Sequence, residues 1–208
     1  MDKHSVYEKI LSIAKRIARS KDGALFVITN PKKFEKTYDV LYPQLLTKHF
    51  LNEEGIEKVI EKLATLDGAV LIGENGEIVA YGAKIKRSKA IPGFGTKHAA
   101  AAGITDYIKD STAILVSEEV NWIKVFQKGR IILEMDDEDA PRSLDEKIIS
   151  FLSDGDTALL TAAGISTALL GPVAIAPLIV VGGTYLAIKT ATGVIRKNWN
   201  EIIRRKKH

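Results

Sequence analysis

Apolar residues first recur along the chain at Val6, Ile10, Ile13, Ala14 and Ile17, with Lys, Arg and Glu between them. That spacing predicts an amphipathic helix lying on a folded domain. Asp22 and Gly23 end it, and the continuous run Ala24 to Thr29 (ALFVIT) predicts a buried strand. From Phe34 to Leu66, with turn signals at Pro31 and Pro43, two helices are expected. The second spans about Glu53 to Ala64 and buries Ile56, Val59, Ile60 and Leu63. The pattern then changes to strands: AVLIG after Asp67, a turn at Glu74-Asn75-Gly76, and IVAYGAKI. An Asn-Gly pair between two β-prone runs predicts a hairpin. An alanine-rich helix follows from about Thr96 to Tyr107, and its small residues Ala99 to Gly103 allow close approach to a sheet. Further strands are expected at 112–117, 122–126 and 130–135. The sum is an α/β fold with a mixed central sheet of about six strands flanked by helices.

The last part of the chain is different. From Thr157 to Ile188 there are 32 consecutive residues without a charged side chain. That exceeds the length of a membrane span, but Gly171, Pro172 and Pro177 divide it into limbs too short to cross. A hydrophobic helical hairpin is expected, dipping into a membrane or lying on it, with Arg204 to Lys207 at anionic headgroups. A soluble apolar hairpin packed on the domain or mediating oligomers is the other reading. The chain is thus expected to divide into an N-terminal helix (1–22), a central α/β domain (23–140), a connecting helix (141–156) and a hydrophobic segment with a basic tail (157–208).

Charge follows the same division. Residues 189–208 hold seven Lys/Arg against Glu201, a net of +6; removing them from 30 basic and 26 acidic residues leaves 23 and 25, a net of −2. The high pI belongs to the tail, and no nucleic-acid partner is expected. The absence of cysteine excludes a disulfide framework and a thiol nucleophile. The first twenty residues lack the apolar core of an export signal.

Three segments are polar or glycine-rich beyond what a fold demands. Asp67-Gly68-Ala69 sets a carboxylate at the start of a buried strand, able to bind a hard cation or orient a hydroxyl; it also reads as a simple turn. Gly93 to His98 is a glycine-rich loop opening a helix, where free N–H groups, the helix dipole and Lys97 suit a phosphate; Thr96 as an N-cap is the plainer reading. Ser117-Glu118-Glu119 follows a buried strand, where ligand contacts collect in α/β sheets and where solvated loop acids are also ordinary. No Walker motif or dinucleotide fingerprint is present.

In order and spacing these segments resemble the diadenylate cyclase family, in its archaeal branch. Its hallmarks are a DGA motif, a GTRHRxA motif some thirty residues later, and a Ser-Glu-Glu-like segment after the next strand. Here they stand as Asp67-Gly68-Ala69, Gly95-Thr96-Lys97-His98-Ala99-Ala100 and Ser117-Glu118-Glu119, within a similarity running from about Gly23 to Glu134. Lys97 replaces the first arginine of the motif and Ala99 the second.

The resemblance implies an enzyme that condenses two ATP into cyclic di-AMP and two pyrophosphates, with two domains face to face as a homodimer or higher oligomer. It implies Asp67, Lys97 and His98 as catalytic residues, Asp67 also holding Mg²⁺ or Mn²⁺. Gly68, Ala69, Gly95, Thr96, Ser117, Glu118 and Glu119 would line the ATP site. A cytoplasmic catalytic domain attached to the cytoplasmic face of the membrane through 157–188 and the basic tail is expected. The alternative is a catalytically inactive sensor of ATP or cyclic di-AMP, tethered to the membrane.

Overall fold

The structure, a computed structural model, describes residues 1–155 apart from 47, 120, 140 and 141, together with 178–181 and 184–185. The elements are α1 (Lys3–Arg19), β1 (Ala24–Thr29), a 3₁₀ turn (Pro31–Phe34), β2 (Tyr38–Val40), α2 (Ile56–Ala64), β3 (Ala69–Gly73) and β4 (Ile78–Ile85). They continue with α3 (Thr96–Tyr107), β5 (Thr112–Val116), β6 (Ile123–Gln127), β7 (Arg130–Met135), α4 (Arg142–Asp154), β8 (Leu178–Val181) and β9 (Thr184–Tyr185). The strands form one mixed sheet in the order β2-β4-β3-β1-β5-β6-β7-β8-β9. Among the described residues only β1/β3 and β7/β8 are parallel.

Both faces of the central strands are covered, which is why β1, β3 and β5 read as continuous apolar runs. Phe26, Ile28, Val70, Ile72, Ile114 and Val116 point to one face, into a core shared with α1, α2 and α4. Leu25, Val27, Ala69, Leu71, Ala113 and Leu115 alternate onto the other, which α3 covers. This second core is rich in alanine, adding Ala80, Ala83, Ala101 and Ala102, so α3 lies close to the sheet as its small residues predict.

α1 is capped by Asp2, whose carboxylate accepts the Ser5 N–H at 2.8 Å. Its apolar stripe, Val6, Ile10, Ile13, Ala14 and Ile17, is wholly buried. At its far end Lys15 pairs with Asp145 of α4 at 3.1 Å, and Arg19 donates to the Asp137 carbonyl, fastening the chain after β7 to the first helix.

Three expectations need correction. No first helix forms between residues 34 and 55 among those described; that stretch follows the 3₁₀ turn and supplies edge strand β2. The cause is tertiary: the Gln44 amide donates to the Tyr81 carbonyl at 3.0 Å and accepts the Tyr81 N–H at 3.0 Å, tying the loop to β4 as a ladder would. α2 begins only at Ile56, because Gly55 before it is left-handed (φ +78°). The hairpin expected over 157–188 lies mostly outside the described residues, but where they fall within it the chain is extended rather than helical. Leu178–Val181, a β-prone Leu-Ile-Val-Val, pairs parallel with β7, and Leu178 and Val180 are buried in the α1-side core. Among the described residues no helix is long and apolar enough to cross a membrane.

Candidate functional site

The register of the strands brings two of the three polar segments to one end of the sheet. Phe26 pairs with Val70 and Ala24 with Val116, so Gly23, just before β1, lies between Asp67-Gly68 ahead of β3 and Ser117 after β5. Val116 in turn pairs with Ile123, and the Ser117 N–H donates to the Trp122 carbonyl at 2.9 Å. Ser117 is buried, whereas Asp67, Glu118 and Glu119 are exposed.

The third segment roofs this end. The ammonium of Lys97, in the first turn of α3, meets the Glu118 carboxylate at 2.6 Å. Gly95 occupies the cap position in extended backbone, without a side-chain cap bond, and Thr96 is the first helical residue rather than the N-cap expected of it. A hydroxyl one place further along cannot fold back onto the first-turn N–H groups. The start of α3 therefore carries no side-chain acceptor of its own, and a bound anion would meet those donors directly.

Gly68 shapes the floor. It has φ +96°, and a Cβ there would lie 2.6 Å from the Gly82 carbonyl carbon. Gly82 is also left-handed, with the Tyr42 ring against it. The two glycines let β3 and β4 approach across an irregular register between Ala69 and Leu71, so Asp67 emerges at the sheet end. Ala69 is buried in the α3-side core.

His98 differs from the other polar residues. Its ring stacks against Phe94, with centroids 4.6 Å apart, and meets Phe126 edge-on at 6.2 Å. Nε2 is buried without a partner. Burial, and secondarily the Lys124 ammonium, push its pKa down to about 4, so the imidazole is neutral at ordinary pH and can offer a ligand an N–H but no charge. The Lys124 ammonium sits 4.4 Å from the Phe94 ring centroid, bracing the loop before α3.

Asp67 makes no hydrogen bond or ion pair with the described residues, which also hold no cluster of three potential metal ligands. One open carboxylate fits a cation completed by substrate phosphates and water, the habit of Mg²⁺, and does not fit an all-protein metal cage.

Two residues at this end escaped the sequence reading. Gly82 was seen only as part of a strand, and Gly23 only as a helix stop; neither carries a local signal, because each is required by a side chain distant along the chain.

The chain is similar to known proteins. A protein from Haloferax volcanii named diadenylate cyclase is 29% identical over 140 residues, 64% of this chain and 52% of that protein. Another of that name, from Methanocaldococcus jannaschii, is 34% identical over 87 residues, 40% of this chain and 28% of that protein. The aligned regions thus span about half of the first relative and less of the second. A solved structure from Bacillus cereus, described as a hypothetical membrane spanning protein, is similar in fold, with a TM-score of 0.51 at 24% identity over 60% of this chain and 61% of that one. The family model described as DisA bacterial checkpoint controller nucleotide-binding, abbreviated DAC, matches residues 12–131, more than half of the chain. That span runs from the middle of α1 into β7 and takes in all three polar segments, and on it the chain belongs to the diadenylate cyclase family.

Proposed function

We propose that the protein is a diadenylate cyclase, joining two ATP molecules into cyclic di-AMP with release of two pyrophosphates. The observation that carries the reading is the meeting of the Asp67 and Ser117-Glu118 segments on either side of Gly23, beneath the first turn of α3. Each nucleotide lies with its triphosphate toward that turn, where the N–H groups of Thr96 and Lys97 and the Lys97 ammonium neutralise phosphate charge. Asp67 faces the ribose and orients its 3′-hydroxyl, and Gly68 and Ala69 let the nucleotide come close to the backbone. Gly95 and Thr96 form the turn beneath the phosphates, and Ser117 and Glu119 complete the wall. His98 supports the turn and offers an N–H. Asp67 would hold a Mg²⁺ or Mn²⁺ ion, which would neutralise charge on the phosphates when bound.

Two such sites act on each other. Each 3′-hydroxyl gives up its proton to the Asp67 carboxylate or to water as its oxygen forms a bond to the α-phosphorus of the opposite ATP, the bond from that phosphorus to the bridging oxygen breaks, and pyrophosphate departs with it. The protein's part is positioning and charge, so two copies must meet with these sheet ends opposed. Attachment at the cytoplasmic face of a membrane through 157–188, apart from the β8 and β9 strands that pair in the sheet, and through the basic tail belongs to the same proposal. Recovery of the full chain wholly in the soluble fraction at low salt would count against it.

Incubating the purified full chain with ATP and Mn²⁺ or Mg²⁺ tests the reading: cyclic di-AMP is the expected product. An inactive protein with both metals refutes it. Tight nucleotide binding without product would instead identify an inactive sensor, the role that Lys97 and Ala99, standing where the family motif has arginines, would then explain.

A further inference from the structure

Gly23 marks a place where the chain leaves room for a side chain from elsewhere. A Cβ on residue 23 would come within 2.3 Å of both Cγ and Oε1 of Glu118. Glu118 therefore lies across the opening of β1, in the space a side chain at 23 would take. From there its carboxylate meets the Lys97 ammonium at 2.6 Å, drawing the first turn of α3 to the sheet end.

We propose that Glu118 is a positioning residue for Lys97, and that Gly23 is the glycine that permits it. This rests on the nucleotide reading of the site and deepens it. Lysine ends in a compact ammonium on a four-carbon stem, with three rotatable donors and none of the pre-organised planar fork of arginine. A lysine standing where the family motif has arginine needs a second group to hold its head in place. Glu118 takes one donor and fixes the stem, which leaves two donors for phosphate oxygens. The pair is open to solvent, the Glu118 side chain being 60% exposed and that of Lys97 28%. Exposed pairs of this kind add little to stability, so the pair acts on the ligand rather than on the fold. Even a methyl group at 23 would have to push the Glu118 side chain aside, while Gly23, not being left-handed, accepts alanine without backbone strain.

The test is calorimetric titration of the full chain with ATP and, in parallel, adenosine, which lacks phosphates. Glu118→Gln and Gly23→Ala are each expected to weaken ATP binding on the order of fivefold. Adenosine binding and the melting temperature should stay at wild-type values. In a Lys97→Arg background the same two substitutions should cost less, because the fork needs no partner. The proposal is overturned if both variants bind ATP as tightly as wild type, or more tightly, which would make Glu118 a competitor for Lys97. It is also overturned if ATP and adenosine weaken together, or if the Lys97→Arg background changes nothing. A wild type that binds ATP but forms no cyclic di-AMP refutes the cyclase reading alone, since the titrations still decide this one. A wild type that binds no ATP overturns both.

Discussion

His98 shows how one residue can join a site and a core. Its pKa of about 4 in the folded protein lies below the ordinary 6.5, so from about pH 6.5 down to 4 the unfolded chain takes up a proton that the folded chain refuses. Stability is therefore full above that window and falls as pH drops through it, by at most about 1.4 kcal/mol per pH unit. His98→Phe, which keeps a ring between Phe94 and Phe126, should flatten this dependence; melting temperatures of both proteins from pH 7.5 to 4.5 measure it. Equal slopes for the two would show that the imidazole does not titrate as its burial requires. Gly68 gives a second prediction of the same scale. Alanine there meets both a left-handed backbone and the Gly82 main chain, neither of which can give way, and should cost about 2 kcal/mol or more by denaturant unfolding. An unchanged midpoint would mean that β3 and β4 do not approach as described.

Among the elements, the strands were the most legible from sequence. Ala24–Thr29 and Ala69–Gly73 fall where their apolar runs end, because burial on both faces leaves little polar punctuation inside them, and Ile78–Ile85 and Arg130–Met135 also lie where their apolar residues place them. α3 was equally clear, and its closeness to the sheet follows from Ala101 and Ala102. The stretch after Phe34 was not legible, since nothing near Gln44 indicates that its amide will complete the ladder of β4. β8 escaped for a different reason. Leu178 to Val181 stands inside a long apolar run whose composition suits lipid, a helix or a sheet edge equally, and only the open edge of β7 decides the matter. Burial of Leu178 and Val180 contributes roughly 1.5–3 kcal/mol each. A chain ending at Gly155 should accordingly melt at lower temperature and self-associate through the uncovered β7 edge, as thermal unfolding and light scattering would report. A shortened chain as stable and monodisperse as the full one would contradict the docking of β8.

At the scale of the whole molecule, the three polar segments were legible as chemistry before they were legible as a site. Asp67, Lys97 and Glu118 lie far apart along the chain, and their order along it pointed to the family; that Asp67 and Glu118 share one end follows from the parallel pairing of β1 with β3 and the antiparallel pairing of β1 with β5, and the ion pair with Glu118 brings Lys97 there. The contact between Lys97 and Glu118 could not be read from sequence, because it depends on the empty Cα of Gly23 beneath it. On the proposed function, this end of the sheet binds ATP and sets its ribose against the Asp67 carboxylate. The most direct measurement compares wild type and Asp67→Asn for cyclic di-AMP formed from ATP and Mn²⁺, with melting temperatures taken on the same samples. Product is expected from wild type, and its loss, by a factor of about 100 or more, from an equally stable variant. A variant that forms cyclic di-AMP at the wild-type rate would contradict it.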